Sequence, residues 1–114
     1  MTSPYQVSAE TIRTVAHGSI TASFAAVGTP LAHPARLVCF TNTTDGDMYI
    51  SLDGINAAFI VPKGTFKLFD LTTNRRECDF IFAIPAGTQF YVQYVAAPSV
   101  GSVYIEAIYG DPGR

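Results

Sequence analysis

Along much of this chain hydrophobic residues recur at every second position, in runs of roughly five to ten residues, with clusters of Gly, Pro, Asn and Asp between the runs. Period two belongs to a strand with one face buried, and the intervening residues are those that tolerate turn backbone. Residues 102–109 show it best, with Val103, Ile105 and Ala107 alternating against Tyr104, Glu106 and Ile108. Met48, Ile50 and Leu52 share one face, Tyr49, Ser51 and Asp53 the other, and Asp53-Gly54 supplies a hairpin turn. Leu37, Val38, Cys39 and Phe40 are apolar in succession, which predicts a central strand covered on both faces. Further strands are expected over 12–15, 19–26, 66–71, 78–83 and 90–95. Nothing in the chain has helical periodicity.

Breaks fall where the chemistry demands them. Gly28-Thr29-Pro30 and His33-Pro34 interrupt pairing, because proline cannot donate to a ladder and restricts its predecessor. Residues 42–47, Asn-Thr-Thr-Asp-Gly-Asp, are almost pure turn chemistry, and 72–77 read as a polar loop. The count is about eight strands, which predicts an all-β chain: a single antiparallel β-sandwich, jelly-roll-like.

One internal repeat stands out. Phe59-Ile-Val-Pro-Lys-Gly-Thr matches Phe82-Ala-Ile-Pro-Ala-Gly-Thr at a spacing of 23 residues. Proline in the second position of a tight turn, with glycine two later, predicts two similar corners and quasi-symmetry within one sandwich.

With 114 residues and 48% hydrophobic content, one core is the expectation. Residues 1–16 read as an N-terminal arm or short edge strand, 17–110 as the sandwich and 111–114 as a tail. The polar stretch 2–14 is expected to reach onto a neighbouring molecule. Only 14% of residues are charged, against roughly 25% in ordinary soluble domains, so much of the surface lacks charge. A net charge of -2 with scattered Lys and Arg argues against direct nucleic-acid binding. No apolar run nears the ~20 residues of a membrane span, and the first residues lack a secretion signal's pattern, so a soluble chain with no membrane partner is expected.

Catalytic chemistry is hard to place, and no enzyme is expected. His17 and His33 flank Gly18 and Pro34, with no companion at a ligand spacing, and read as structural. Asp45, Asp47 and Asp53 are explained by turns without calcium. The glycosylation triplet Asn42-Thr43-Thr44 needs a secretory route that the first residues do not support. Cys39 and Cys78 read as buried thiols, with a disulfide left open. No catalytic, cofactor-binding or metal residue is assigned. The interface candidates are Tyr5, Tyr49, Tyr91, Tyr94 and Tyr104, whose rings can be buried while the hydroxyl keeps a polar partner, together with Ile12 and the charged Arg75 and Arg76.

The segments Leu37-Val-Cys-Phe-Thr-Asn-Thr-Thr-Asp-Gly-Asp-Met-Tyr-Ile-Ser-Leu-Asp-Gly, Phe59-Ile-Val-Pro-Lys-Gly-Thr-Phe-Lys-Leu-Phe-Asp-Leu and Gly101-Ser-Val-Tyr-Ile-Glu-Ala-Ile-Tyr-Gly resemble small virion structural proteins of tailed bacteriophages over residues 37–110. The resemblance implies a capsid decoration (cement) protein, or alternatively a head-to-tail connector, neck or tail component. It implies copies of itself and the major capsid protein or portal and tail proteins as partners, no cofactor, and a place in the virion after synthesis in the bacterial cytoplasm. A carbohydrate-binding sandwich, with Tyr91, Tyr94 or Tyr104 stacked on sugar rings, is the reading from another class. A cupin-like enzyme would need more ligands than two histidines provide.

Overall fold

In the computed structural model, which describes residues 6–71 and 84–111, the alternating runs form nine β-strands in two antiparallel sheets. Sheet A contains β1 (Gln6–Ala9), β2 (Arg13–Ala16), β4 (Leu37–Asn42), β7 (Thr65–Asp70) and β9 (Ser102–Asp111). Sheet B contains β3 (Ala25–Ala26), β5 (Met48–Ser51), β6 (Phe59–Val61) and β8 (Tyr91–Tyr94), in the order β3-β8-β5-β6. In sheet A, β9 lies between β4 and the β1/β2 edge, and β7 flanks β4.

β1 and β2 lie on one edge of β9. Ala9 pairs with Ile108 and Arg13 with Ile105, so the three residues 10–12 oppose the two residues 106–107. One extra residue is a β-bulge, and it bends the edge strand. Residues 6–16 therefore run mostly as an edge strand of their own sheet. With β1 and β2 taken as one bulged strand, eight remain and their pairing is nested: first with eighth, second with seventh, third with sixth, fourth with fifth. The chain is one long hairpin rolled up and sealed by β4 against β9 and β5 against β8. This is the strand order of a jelly roll.

The core follows the alternation. Val38 and Phe40 of β4, Val103, Ile105 and Ala107 of β9, Met48 and Ile50 of β5, Val61 of β6 and Val92 of β8 are each at most 1% exposed. Phe40 sits among three other rings, with centroids 5.4 Å from Phe59, 5.8 Å from Phe69 and 5.4 Å from Phe90. These are tilted and edge-to-face contacts, the geometry that aromatic quadrupoles favour.

Several sequence expectations change. β4 is central within sheet A but covered on one face only: Val38, Phe40 and Asn42 are buried, while Leu37, Cys39 and Thr41 point outward and stay half-exposed. Cys39 is thus not the fully buried thiol expected of it; it is free, on the outer face, and Cys78 lies outside the described residues. The stretch 19–26 keeps only two strand residues, after a 3-10 turn at His17–Ser19. Leu52 leaves the sheet after β5 and is 38% exposed.

The two repeat corners do share one conformation. Thr65 N donates to Pro62 O at 3.2 Å and Thr88 N to Pro85 O at 3.3 Å, and each threonine hydroxyl donates to the same carbonyl at 2.7 Å. Proline stands first in the turn, not second. Gly64 and Gly87 occupy the third position with φ of 68° and 89°, which a side chain resists there. The first corner carries the chain from sheet B to sheet A. The second leads from Ile84, bridged to Ala35, into β8.

Candidate functional site

Register places the outward residues of sheet A side by side. Thr14, Tyr104, Thr41 and Phe66 form one row across β2, β9, β4 and β7; Glu106, Cys39 and Leu68 form the next; Ala9, Ile108, Leu37 and Asp70 form a third. Phe66 is 65% exposed, Leu68 54% and Tyr104 37%. Between the second and third rows runs a groove of about 260 Å3, lined by Ile12, Leu37, Cys39, Leu68, Glu106 and Ile108 among others. Glu106 is the sole charged side chain in the middle of this apolar face among the described residues. The bulge brings Ile12, itself 54% exposed, to the groove's end.

That end is anchored by a buried ion pair. Arg13, 7% exposed, sends Nη2 to Glu10 Oε1 at 2.8 Å and to Pro30 O at 3.0 Å, Nε to Thr29 O at 2.6 Å and Nη1 to Thr11 O at 3.2 Å. Glu10, 6% exposed, also accepts from the backbone N–H of Ala32 and His33 and from His33 Nδ1 at 3.0 Å. Burial pushes the Glu10 carboxyl up, but the Arg13, Ala32 and His33 donors outweigh it and hold it below the ordinary value. The His33 ring stacks on Tyr109 with centroids 3.7 Å apart. A Cβ on Gly28 would come within 2.6 Å of Arg13 Cγ, so only glycine lets the loop close over the arginine. The bulged edge and the 28–34 loop thus form one hydrogen-bonded rim beside the groove.

Sheet B presents a different outer surface. Ser51 is outward yet fully buried, because its hydroxyl donates to Asp53 and accepts from Gly54 N in the loop folded above it. A Cβ on Gly54 would stand 3.1 Å from Tyr91 Cζ, so that loop's backbone lies on the tyrosine ring. Gln93 donates its amide to Ala22 O, and Tyr49 is half-buried. Asp53 accepts from Ser51 and from Ile55 and Asn56 of the same loop, and the backbone N–H groups of Asn56 and Ile55, followed by the Ser51 hydroxyl, lower its carboxyl pKa. Asp45 is lowered to about 2, chiefly by the hydroxyl and backbone N–H of Ser99. Asp53 is thus occupied within its own turn and Asp45 by the distant Ser99–Val100 segment, and among the described residues no three His, Cys, Asp or Glu side chains gather to hold a metal.

The interface candidates are dispersed. Ile12 and Tyr104 lie on the outer face of sheet A; Tyr49 and Tyr91 lie on that of sheet B. Tyr94 points inward and packs on the core. Neither Tyr91, under its loop, nor Tyr94 offers an open ring for a sugar to stack on. Tyr5, Arg75 and Arg76 fall outside the described residues. Asn42 of the glycosylation triplet is 1% exposed and donates to Gly46 O and Val61 O at 2.9 Å, so it holds a turn from within. His17 Nδ1 donates to Gly101 O at 3.1 Å, also inside the scaffold. Phe66, Leu68 and Leu37, on the open face of sheet A, were not among the interface candidates. Their signal was present in β4 and β7, where apolar residues fall on the outward parity as well as the inward one.

The chain matches no known protein family, no curated protein and no solved structure.

Proposed function

We propose that this chain is a structural protein of a bacteriophage particle, seated on the capsid as a decoration protein, with the neck or tail as the alternative position. The observation that carries the assembly part is the apolar outer face of sheet A. A patch of this kind, rimmed by polar groups, marks a protein–protein contact. Strands about 4.8 Å apart and residues about 3.3 Å apart give the whole face, with Thr14, Thr41, Glu106 and Asp70 counted among its apolar residues, roughly 20 × 20 Å, or about 400 Å2. That is half of the ~800 Å2 per partner that a stable pairwise complex buries. One such contact is weak, and many repeated over a shell hold firmly through avidity. The jelly roll suits the role, since shells of many viruses are built from it, although the fold also serves lectins and enzymes. The bacteriophage part of the reading rests on the resemblance of residues 37–110.

The experiment is to purify particles from infected cells, quantify this chain by mass spectrometry and locate its density on the particle. Stoichiometric presence on the shell supports the reading. A stable monomer absent from the particles overturns it.

A further inference from the structure

The sheet A face carries its own indication of what covers it. Two copies stacked face to face about a twofold axis would bring both Glu106 carboxylates into one dry contact, and like charges there are costly. A contact in which a different surface meets this face avoids that. The chain itself holds a surface of the right kind. Ile55 is 78% exposed, the highest value among the large exposed hydrophobic residues, and it is not on a loose loop. Asp53 Oδ1 accepts from Ile55 N and from Asn56 N, each at 2.8 Å, and the Ser51 hydroxyl accepts from Gly54 N at 2.9 Å. A bulky aliphatic side chain is thus held out in water on a backbone already fixed by its own turn, so that docking has mainly the side chain's own rotamers to order.

We infer that the 52–57 loop of one copy docks, Ile55 foremost, into the sheet A groove of a second copy. The groove's volume of about 260 Å3 is ample for the side chain, since an apolar cavity of about 150 Å3 already accepts a benzene-sized ligand. Asn56, next to Ile55, gives one amide hydrogen to Asp53 Oδ2 at 3.1 Å and keeps a second to offer Glu106 at the groove wall. The loop lies over sheet B and the groove on sheet A, so donor and acceptor surfaces are on opposite sides of the sandwich. Such a contact is heterologous: each copy keeps one free donor and one free acceptor, and copies add in rows or close into rings. This rests on the assembly reading above and names the partner for the same face.

The test is sedimentation velocity of the full chain across a wide concentration range, with Ile55→Asp, Leu68→Asp and their equimolar mixture. The unmodified chain forms species larger than a dimer as concentration rises. Each variant alone loses association by roughly tenfold or more, as for central interface residues. The mixture restores a single working contact and yields dimers that grow no further. Ile55→Ser and Leu68→Ser repeat the series should an aspartate variant unfold. The inference is overturned if the unmodified chain stays monomeric, if Ile55→Asp associates normally, or if the mixture stays monomeric. A chain that is monomeric in solution but present on purified particles overturns this inference alone; one that associates yet is absent from particles overturns only the decoration reading.

Discussion

The two outer faces of this sandwich are built from similar residues and end up unlike. Sheet A leaves Phe66, Leu68 and Tyr104 open to water, whereas sheet B folds the 52–57 loop over Tyr91 and Ser51 and occupies Gln93 with the Ala22 carbonyl. Both sheets therefore carry aromatic and aliphatic side chains outward, but sheet B covers its central ones within its own chain and leaves Ile60 of β6, 39% exposed, open at its edge. An outward apolar residue stays open to water when no local loop claims it.

The contrast can be tested in order of expected effect. Phe40→Ala, at the seam on which both sheets rest, should cost about 3–5 kcal/mol and melt the two faces together in chemical denaturation. Separate transitions for sheet A and sheet B probes would break the idea that they share one core. Arg13→Met should cost about 3 kcal/mol, because Glu10 would keep a buried charge with its main partner gone. Hydrogen exchange would then quicken first along β1 and β2, with sheet B unchanged.

The same pair gives a pH dependence of defined sign. Glu10 is held below its ordinary value when folded, so its contribution is complete above that value and is lost as pH falls through the lower folded value. Glu10→Gln should flatten this part of the acid-stability curve, and an unchanged curve would show that the donors around Glu10 do not favour its charge.

Smaller effects separate the faces themselves. Tyr91→Ala should cost about 1–2 kcal/mol, since it removes the ring on which the Gly54 backbone lies. Leu68→Ser, at a 54% exposed position, should change stability by no more than about 0.5 kcal/mol while reducing binding of a hydrophobic dye. If the two substitutions cost the same, the distinction between a covered and an open face fails.

Much of this architecture was legible beforehand. Inward positions in β9 follow the alternation seen in the sequence, and the repeated Pro-x-Gly-Thr marks two corners that do share one conformation, with proline one position earlier in the turn than expected. What local pattern could not give was register. Leu37, Cys39 and Leu68 read as strand residues from sequence, yet only the pairing of β4 with β7 and β9 puts them beside one another on one face. The double-sided apolar run in β4 suggested two covering layers, because a face awaiting a partner and a face under a second layer have the same composition. The bulge at residues 10–12 was equally hidden, since it goes with a long-range bond set, Arg13 reaching the carbonyls of Thr29 and Pro30. The arginine was visible in the sequence; its loop partner was not.

The nested pairing bears on how such a chain comes to be folded. The β5–β6 hairpin, closed by the Asp53 turn, needs only a short loop, and each later pair, β4 with β7, β3 with β8 and the edge strand with β9, can zip onto the one before it. Sheet A, however, has β9 between its edge strand and β4. While the chain is being synthesised, residues 6–16 have no neighbour to pair with until residues 102–111 have left the ribosome. The face proposed for assembly is therefore completed among the last parts of the fold, and a chain stopped short of β9 has the β4–β7 strip but no groove beside it.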